Sequence, residues 1–522
     1  MTTEPQITEQ DIQRVEEQFG TVHAALLTNL KAWLDDGVNP YAVTKFDRSH
    51  TAAELQEQFK DLPDGEFAGI DAQVAGRLMA IRNSGMFMVL QDASSRIQVF
   101  NYLKELSDEQ KTRVQRFDIG DIVGVSGAVR RTPRGELTIN ATSIELISKC
   151  LDPLPEKYHG ISDPELEARE RHKSIVSDEV VRSRLIARSK IISSMRRTLD
   201  DQGYLEVETS FLHPIAGGAN AKPFVTHHNS LDMDLFLRIA PELYLKRVIA
   251  SGLTDKVYEI GKNFRNEGLS FKHNPEFTSL EVYVAYVDYE EMMRIVEDVI
   301  VNAVTNVTGG DTEVEYEETR INFQRPWKRM SMDGLVLEKT GVDFKELKTA
   351  DEARAAAEKL GIEVPKDASW GKILEAVFEE EVESSLDQPI HVTDLPTDIS
   401  PLSKPRGDDP RFAERFESYI FGREIANAFS ELNDPFLQNQ FFQDQAKMRQ
   451  KGDEEASEPD DDYVRVLEFG LPAAGGLGIG IDRLAMFLTD AHHIRQVVLF
   501  PVMRHRPDAP RSISSTLNGD GE

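Results

Sequence analysis

The chain has 522 residues, 40% hydrophobic and 29% charged, with a formal net charge of −30 and a single cysteine. That length exceeds what one hydrophobic core fills and predicts about two or three globular domains. Cys150 alone excludes an intramolecular disulfide framework and a cysteine-built zinc site, and no apolar run reaches the roughly 18 residues of a membrane span. The start, Met1-Thr2-Thr3-Glu4-Pro5, lacks the apolar stretch of a signal peptide, so the expected compartment is the cytoplasm. The acidity argues against non-specific nucleic-acid binding, which depends on neutralising phosphates, but leaves room for a local site.

Residues 9–36 carry Ile12, Val15, Phe19, Val22, Leu26, Leu30 and Trp33 at helical spacing, stopped by Gly37 and Pro40. This predicts one amphipathic helix in an N-terminal segment 1–40. Between 66 and 150, short alternating runs are separated by Gly, Asp and Pro, among them Gln73-Val74-Ala75-Gly76-Arg77, Phe87-Met88-Val89-Leu90-Gln91 and Arg96-Ile97-Gln98-Val99-Phe100. Five such strands, with a helix over 107–117 between the third and fourth, predict an OB barrel. Barrels of this type stack single-stranded bases on aromatic rings. Acidic and basic side chains nearly balance here, against the acidic average, so a nucleic-acid partner is expected to touch this segment.

A Pro-rich stretch from 151 begins a linker to 178, and a long helix is predicted over 180–202. Residues 257–286 then alternate as a strand, break into a polar loop at Gly268, and alternate again from Phe277. Period-2 geometry places Arg265, Glu267, His273, Phe277, Glu281 and Tyr283 around one cavity. A guanidinium, carboxylates and an aromatic ring suit a charged planar ligand such as ATP. Residues 343–386 read as a helical acidic insertion, 451–462 as a solvated acidic loop, and 506–522 as a disordered tail.

Two stretches carry a family resemblance. Phe264-Arg265-Asn266-Glu267 with His273-Asn274-Pro275-Glu276-Phe277 resembles motif 2 of class II aminoacyl-tRNA synthetases. Gly475-Gly476-Leu477-Gly478-Ile479-Gly480-Ile481-Asp482-Arg483-Leu484 resembles motif 3. The helix over 180–202 and Tyr204-Leu205-Glu206-Val207-Glu208-Thr209 resemble motif 1, with Ser210 where a proline is usual. Gly217-Gly218-Ala219-Asn220 resembles the loop over the amino-acid pocket. Within the class, the linker and the segment 415–434 are similar to bacterial-type lysyl-tRNA synthetases of subclass IIb. The implied architecture is an α+β multidomain protein: an OB-fold anticodon-binding domain (66–150), then a class II catalytic domain (179–505) with an antiparallel sheet flanked by helices.

The resemblance implies activation of L-lysine with ATP to lysyl-adenylate, release of pyrophosphate, and transfer of lysine to the 3′ end of tRNA(Lys) by a homodimer. Arg265 and Arg483 are the implied catalytic residues, binding ATP together with Glu267, His273, Asn274 and Phe277. Gly218, Glu242, Glu281, Tyr283, Asn427, Phe429 and Glu431 are implied to bind lysine. An acidic residue at 431, where aspartate and asparagine enzymes carry an arginine, is the complementary choice for an ammonium. Glu417 and Glu424 are implied Mg²⁺ ligands, hard oxygens of the kind that cation takes. Phe87 is implied to stack an anticodon base, with Arg77, Gln98 and Glu136 reading base edges. Two alternatives stay open on this reading: a lysyltransferase paralogue that modifies a protein, and a catalytically inactive RNA-binding paralogue.

Overall fold

The computed structural model describes residues 7–155, 161, 163–219, 221–450, 459–506 and 512–517. The chain divides into two units, Met1–Ile161 with Arg504–Glu522, and Ser162–Met503.

In the first unit, α1 (Glu9–Phe19) and α2 (Thr21–Asp35) replace the single helix expected over 9–36. Gly20 ends α1 with φ +90°, a conformation costly for other residues, so the apolar stripe folds back on itself. Val15, Leu27 and Leu30 are buried between the two helices. A short helix, Ile513–Leu517, packs there too, with Arg14 Nη1 donating to the Thr516 carbonyl (3.1 Å) and Thr516 Oγ1 to Gln18 (2.9 Å). This corrects the expectation of a disordered tail for 512–517. Ile513 adds one apolar anchor, enough to seat a single turn but too little to register as a pattern.

After α3 (Ala52–Gln58), β1 (Phe67–Arg82), β2 (Phe87–Gln91), β3 (Arg96–Phe100), β4 (Ile122–Arg131) and β5 (Leu137–Ser148) close a barrel in the order β1-β2-β3-β5-β4, with α4 (Asp108–Gln115) between β3 and β4. Val74, Leu78, Met88, Leu90, Ile97, Val99, Val125 and Ile139 fill the interior, each burial contributing about 1.5–3 kcal/mol. The alternate side chains are left outside. A register shift between Leu78 and Ala80 breaks the period of β1.

In the second unit, the linker is not plain coil: α5 (Pro164–Arg169) and α6 (Arg171–Ser177) precede α7 (Glu179–Asp201), each of α5 and α7 capped by an aspartate side chain. The expected linker residues 156–160 lie outside the described residues. Next come β6 (Leu205–Glu206), β7 (Leu212–His213), β8 (Val225–His228), β9 (Met233–Leu237), α8 (Glu242–Ala250), β10 (Lys256–Phe264), β11 (Glu276–Ala285) and α9 (Tyr289–Thr308). A small hairpin β12 (Glu313–Tyr316) and β13 (Thr319–Asn322), β14 (Lys328–Ser331), α10 (Met332–Thr340), α11 (Ala350–Lys359), α12 (Trp370–Glu381) and β15 (Ile390–Thr393) follow. The chain then forms β16 (Arg415–Ile420), β17 (Arg423–Ser430), α13 (Pro435–Gln450), α14 (Asp461–Gly470), β18 (Ala474–Gly480) and α15 (Ile481–Leu488).

Eight strands form one sheet in the order β14-β15-β16-β17-β18-β11-β10-β6, antiparallel throughout the centre and parallel only at its two outer pairs. One face is apolar: Tyr258, Leu280, Val282, Leu477 and Ile479 pack against Ile191, Met195 and Leu199 of α7 and Met292, Val296 and Val299 of α9. The alternate residues of the same strands form the opposite face, among them Glu259, Glu281, Tyr283, Gly476 and Gly478. Helices α10, α11 and α12 have their own core with β15, including Val336, Ala353, Phe378 and Val392. Of the acidic run 451–462, residues 451–458 lie outside the described residues, while Asp460 caps α14 rather than lying in a solvated loop.

Candidate active site

The polar face of the sheet is built rung by rung. Asn427 of β17, Gly478 of β18, Glu281 of β11 and Glu259 of β10 lie in one register, and Phe429, Gly476, Tyr283 and Val257 in the next but one. Above this floor lies a cavity of about 570 Å³. It is lined by Gly218, Glu242, Arg265, Glu267, His273, Asn274, Phe277, Glu281, Tyr283, Glu417, Glu424, Asn427, Phe429 and Arg483. Every candidate residue of this unit is therefore on the cavity wall except Glu431. Of the loop over it, Asn220 lies outside the described residues.

One end is cationic and aromatic. The Arg265 guanidinium lies 5.1 Å from the Phe277 ring centroid, and its Nε has no hydrogen-bond partner. Arg483 Nη1 donates to the Glu424 carbonyl (2.7 Å), and its Nη2 lies 3.4 Å from His273 Nε2. Burial, with Arg483, Lys272 and Arg265 nearby, pushes the His273 pKa down, so the ring is neutral before an anion arrives. Its Nδ1 hydrogen-bonds Ser270 Oγ (2.8 Å). Asn274 is buried with Oδ1 unpartnered, its amide donating to the Glu276 carbonyl (2.6 Å).

Glu417 and Glu424 project beside these arginines. Arg415 Nη2 donates to Glu417 Oε1 (2.5 Å) and Tyr419 Oη to its other oxygen (2.7 Å). Burial raises the Glu417 pKa, Arg415 opposes this, and Glu424 adds to it. Carboxylates crowded at low solvation are the donor chemistry of a hard divalent cation, so these two residues fit Mg²⁺. Glu375 of α12 also lines the cavity, its carboxyl pushed up to about 7 by burial and by Glu417.

The other end is anionic. Glu281 is buried and accepts from Tyr283 Oη (3.2 Å). Burial, reinforced by Glu242, pushes its carboxyl up to about 8. Tyr283 is held well above the usual phenol range by burial and the same carboxylates, so it remains a donor. Glu431 is 1% exposed and is not among the residues that line the cavity, which corrects its expected place there. Its Oε1 lies against Gly476, where an added Cβ would come within 2.0 Å of it and 2.5 Å of the Tyr283 ring. Only glycine at 476 lets the carboxylate reach that depth. Its Oε2 meets the Lys246 ammonium, which also donates to Glu242 Oε1 (2.6 Å).

Lys246 and Arg415 are absent from the residues expected at the site. Lys246 left a signal, the Glu242/Lys246 spacing of i and i+4, but on a helix that spacing reads as a surface pair. A further ion pair fixes the motif 3 end: Arg188 of α7 donates from Nε to Asp482 Oδ1 (2.9 Å), and Asp482 Oδ2 accepts from the Thr278 amide (2.8 Å). This ties the start of α15, and so Arg483, to β11.

On the barrel, Phe87 faces Phe100 across β2 and β3 (ring centroids 5.1 Å), and Tyr102 extends the row at 6.0 Å. Arg130 lies 4.9 Å from the Phe100 centroid. Gln98 is on this outer face, its amide donating to Thr138 Oγ1 (2.9 Å), and Glu136 sits at the turn before β5. Arg77 is not brought to Phe87. It pairs with Gln91, four residues along β2, about 13 Å away at ~3.3 Å per residue, and donates to the Gly120 carbonyl (2.7 Å). Arg82 is the basic residue directly opposite Phe87.

A sequence model described as tRNA synthetases class II (D, K and N) matches residues 163–504, and one described as an OB-fold nucleic acid binding domain matches 72–147. A protein of Carboxydothermus hydrogenoformans named lysine–tRNA ligase is 50% identical over 472 residues, 90% of this chain and 95% of its own. Proteins of the same name from Sinorhizobium medicae (50% over 464 residues, 89% and 93%) and Clostridium botulinum (47% over 502 residues, 95% and 98%) are similar over the same extent. The chain belongs to the class II tRNA synthetases of the group described as D, K and N.

Proposed function

We propose that this protein is a lysine–tRNA ligase that forms lysyl-adenylate from L-lysine and ATP and transfers lysine to tRNA(Lys). The observation that carries the reading is the anionic end of the cavity: three buried carboxylates, Glu242, Glu281 and Glu431, with Glu431 Oε1 lacking any hydrogen-bond partner. An aspartate side chain there would meet like charge at a cost of several kcal/mol. Lysine brings two ammonium groups, the α-ammonium for Glu242 and the ε-ammonium for Glu281, Tyr283 and Glu431. Asn427 and Phe429 line its methylenes, and Gly218 closes over the α-carbon.

A lysine carboxylate oxygen attacks the α-phosphorus as the bond to pyrophosphate breaks, so no protein nucleophile is required. Catalysis is then positioning and charge neutralisation. Arg265 bridges the lysine carboxylate and the α-phosphate through its planar fork, and its unpartnered Nε leaves donor capacity for this. Glu267 accepts from the adenine amino group, Phe277 stacks on the ring, Asn274 offers its unpartnered Oδ1 nearby, and Arg483 covers the opposite face. His273, neutral through burial and the cations around it, gains a proton beside the triphosphate. Bound at Glu417 and Glu424, Mg²⁺ would neutralise phosphate charge. In the second step a ribose hydroxyl of the tRNA attacks the lysyl carbonyl and AMP leaves.

Phe87 stacks an anticodon base, with Gln98 and Glu136 at its edges and Arg82 taking the role expected of Arg77. Exposed Leu205 on the motif 1 strand β6, with exposed Leu212, Val225 and Met233 on the small sheet β7-β9-β8, support a homodimer whose partner covers them. No helix is long and apolar enough to cross a membrane among the described residues. The substrates of translation make the cytoplasm the expected compartment. A barrel in the same chain counts against a protein-modifying paralogue, and the assembled Arg265, Glu417, Glu424 and Arg483 count against an inactive one. The test is acid-precipitable charging of total tRNA with labelled lysine. Charging at substoichiometric protein supports the reading, and none in folded, ATP-binding protein overturns it.

A further inference from the structure

The anionic end also holds a buried cation, Lys246, 1% exposed on α8. Its Nζ donates to Glu242 Oε1 (2.6 Å), touches Glu431 Oε2, and lies 5.3 Å from the Phe429 ring centroid and 5.9 Å from that of Tyr463. It therefore joins the two carboxylates that the lysine reading assigns to the two ammonium groups of the substrate, on which this inference rests. When the three buried carboxyls are ionised, the one buried ammonium leaves two negative charges for the ligand to match. A buried carboxylate stripped of its partner does not stay charged. It takes a proton, because desolvation disfavours the anion.

We infer that Lys246 is a positioning and specificity residue of the amino-acid pocket: its ammonium aims Glu431 and favours its anion, and sets the pocket's charge to that of a substrate with two ammonium groups. The groups facing Glu431 are Lys246 and Glu242 from α8, Glu281 and Tyr283 from β11, and Tyr463 from α14. All but Lys246 are acids, so it is the only one of them that favours the anion. Burial would lower the Lys246 pKa, but Glu242 and Glu431 outweigh it and hold the ammonium above the ordinary lysine range. Burial, with Glu242 and Glu281, raises the carboxyl of Glu431, opposed by Lys246. Without Lys246 the Glu431 carboxyl rises further, its ionisation moves to higher pH, and lysine binding follows it.

The experiment is the KM for lysine and for ATP in ATP–pyrophosphate exchange, from slightly acid to alkaline pH, for the parent and Lys246→Met. At neutral pH the variant should show a lysine KM raised at least about tenfold, the equivalent of one pKa unit, with the ATP KM within about twofold. The deficit should shrink as pH rises, up to where the substrate's own ammonium groups titrate. A loss independent of pH, or shared equally by ATP, overturns the inference and leaves Lys246 a packing residue. If Lys246→Met is too unstable to assay, Lys246→Met/Glu431→Gln should melt higher than the single variant, because the uncompensated carboxyl is gone. A double variant no more stable than the single one overturns it as well. If the parent itself does not use lysine, the functional reading fails and not the role of Lys246.

Discussion

The synthetase pocket and the barrel face present the same kinds of residue in opposite physical states. In the pocket, Glu242, Glu431 and Lys246 are buried and joined to one another, and Glu281 is buried against Tyr283, so the charges there are coupled. On the barrel, Phe67 and Tyr102 are exposed, and Gln98 leans on a neighbour that has no charge. Buried pairs are coupled, and losing one member leaves the other uncompensated. Exposed stacking residues act nearly independently and through contact area. Changes in the pocket should therefore be large, pH-dependent and cooperative, and changes on the barrel moderate, additive and sensitive to salt.

The largest effect belongs to Arg265→Ala, which removes the fork from the attacking and leaving charges. We expect a fall of about a hundredfold to a thousandfold in kcat for pyrophosphate exchange, the scale of losing one transition-state donor, with the thermal melt preserved. Gly476→Ala comes next. The added Cβ displaces Glu431 or Tyr283 and should raise the lysine KM by roughly tenfold to a hundredfold, or about 1.4–3 kcal/mol. Anticodon-stem binding measured with a tRNA fragment should be unchanged. An equal loss in both assays would erase the contrast between the two regions.

Phe87→Ala should weaken tRNA binding by about 1–3 kcal/mol and leave tRNA-independent exchange at the parental rate. The smallest effect sharpens the barrel assignment: Arg82→Ala should reduce tRNA affinity and the salt slope more than Arg77→Ala. The reverse order would restore Arg77 as the reader and remove Arg82. The pocket carries its own pH signature. The Glu281 carboxyl, pushed up to about 8 by burial first and then by Glu242, is uncharged below that pH. Lysine affinity in the parent should rise as pH climbs through that value, whereas ATP affinity should not follow it.

Much of this was legible in the chain because period-2 alternation survives in the sequence. Residues 257–286 gave up their hairpin and its polar face, and the resemblance of 475–484 to motif 3 marked the stretch that pairs with it. What escaped depended on geometry no local pattern carries. The bulge between Leu78 and Ala80 brings Arg82 rather than Ile81 opposite Phe87, and it has no residue signature. Gly20 looked tolerable inside a helix until its left-handed φ turned one helix into two. Lys246 read as half of a surface pair with Glu242, and only packing places it against Glu431 in the interior.

The most direct test is amino-acid-dependent ATP–pyrophosphate exchange without tRNA, run with lysine, aspartate and asparagine on the parent and on Glu431→Gln. The account predicts exchange with lysine alone in the parent, and a lysine KM in the variant raised by about 1–3 kcal/mol, the cost of an uncompensated buried partner. Exchange driven by aspartate or asparagine, or a variant indistinguishable from the parent, would contradict it.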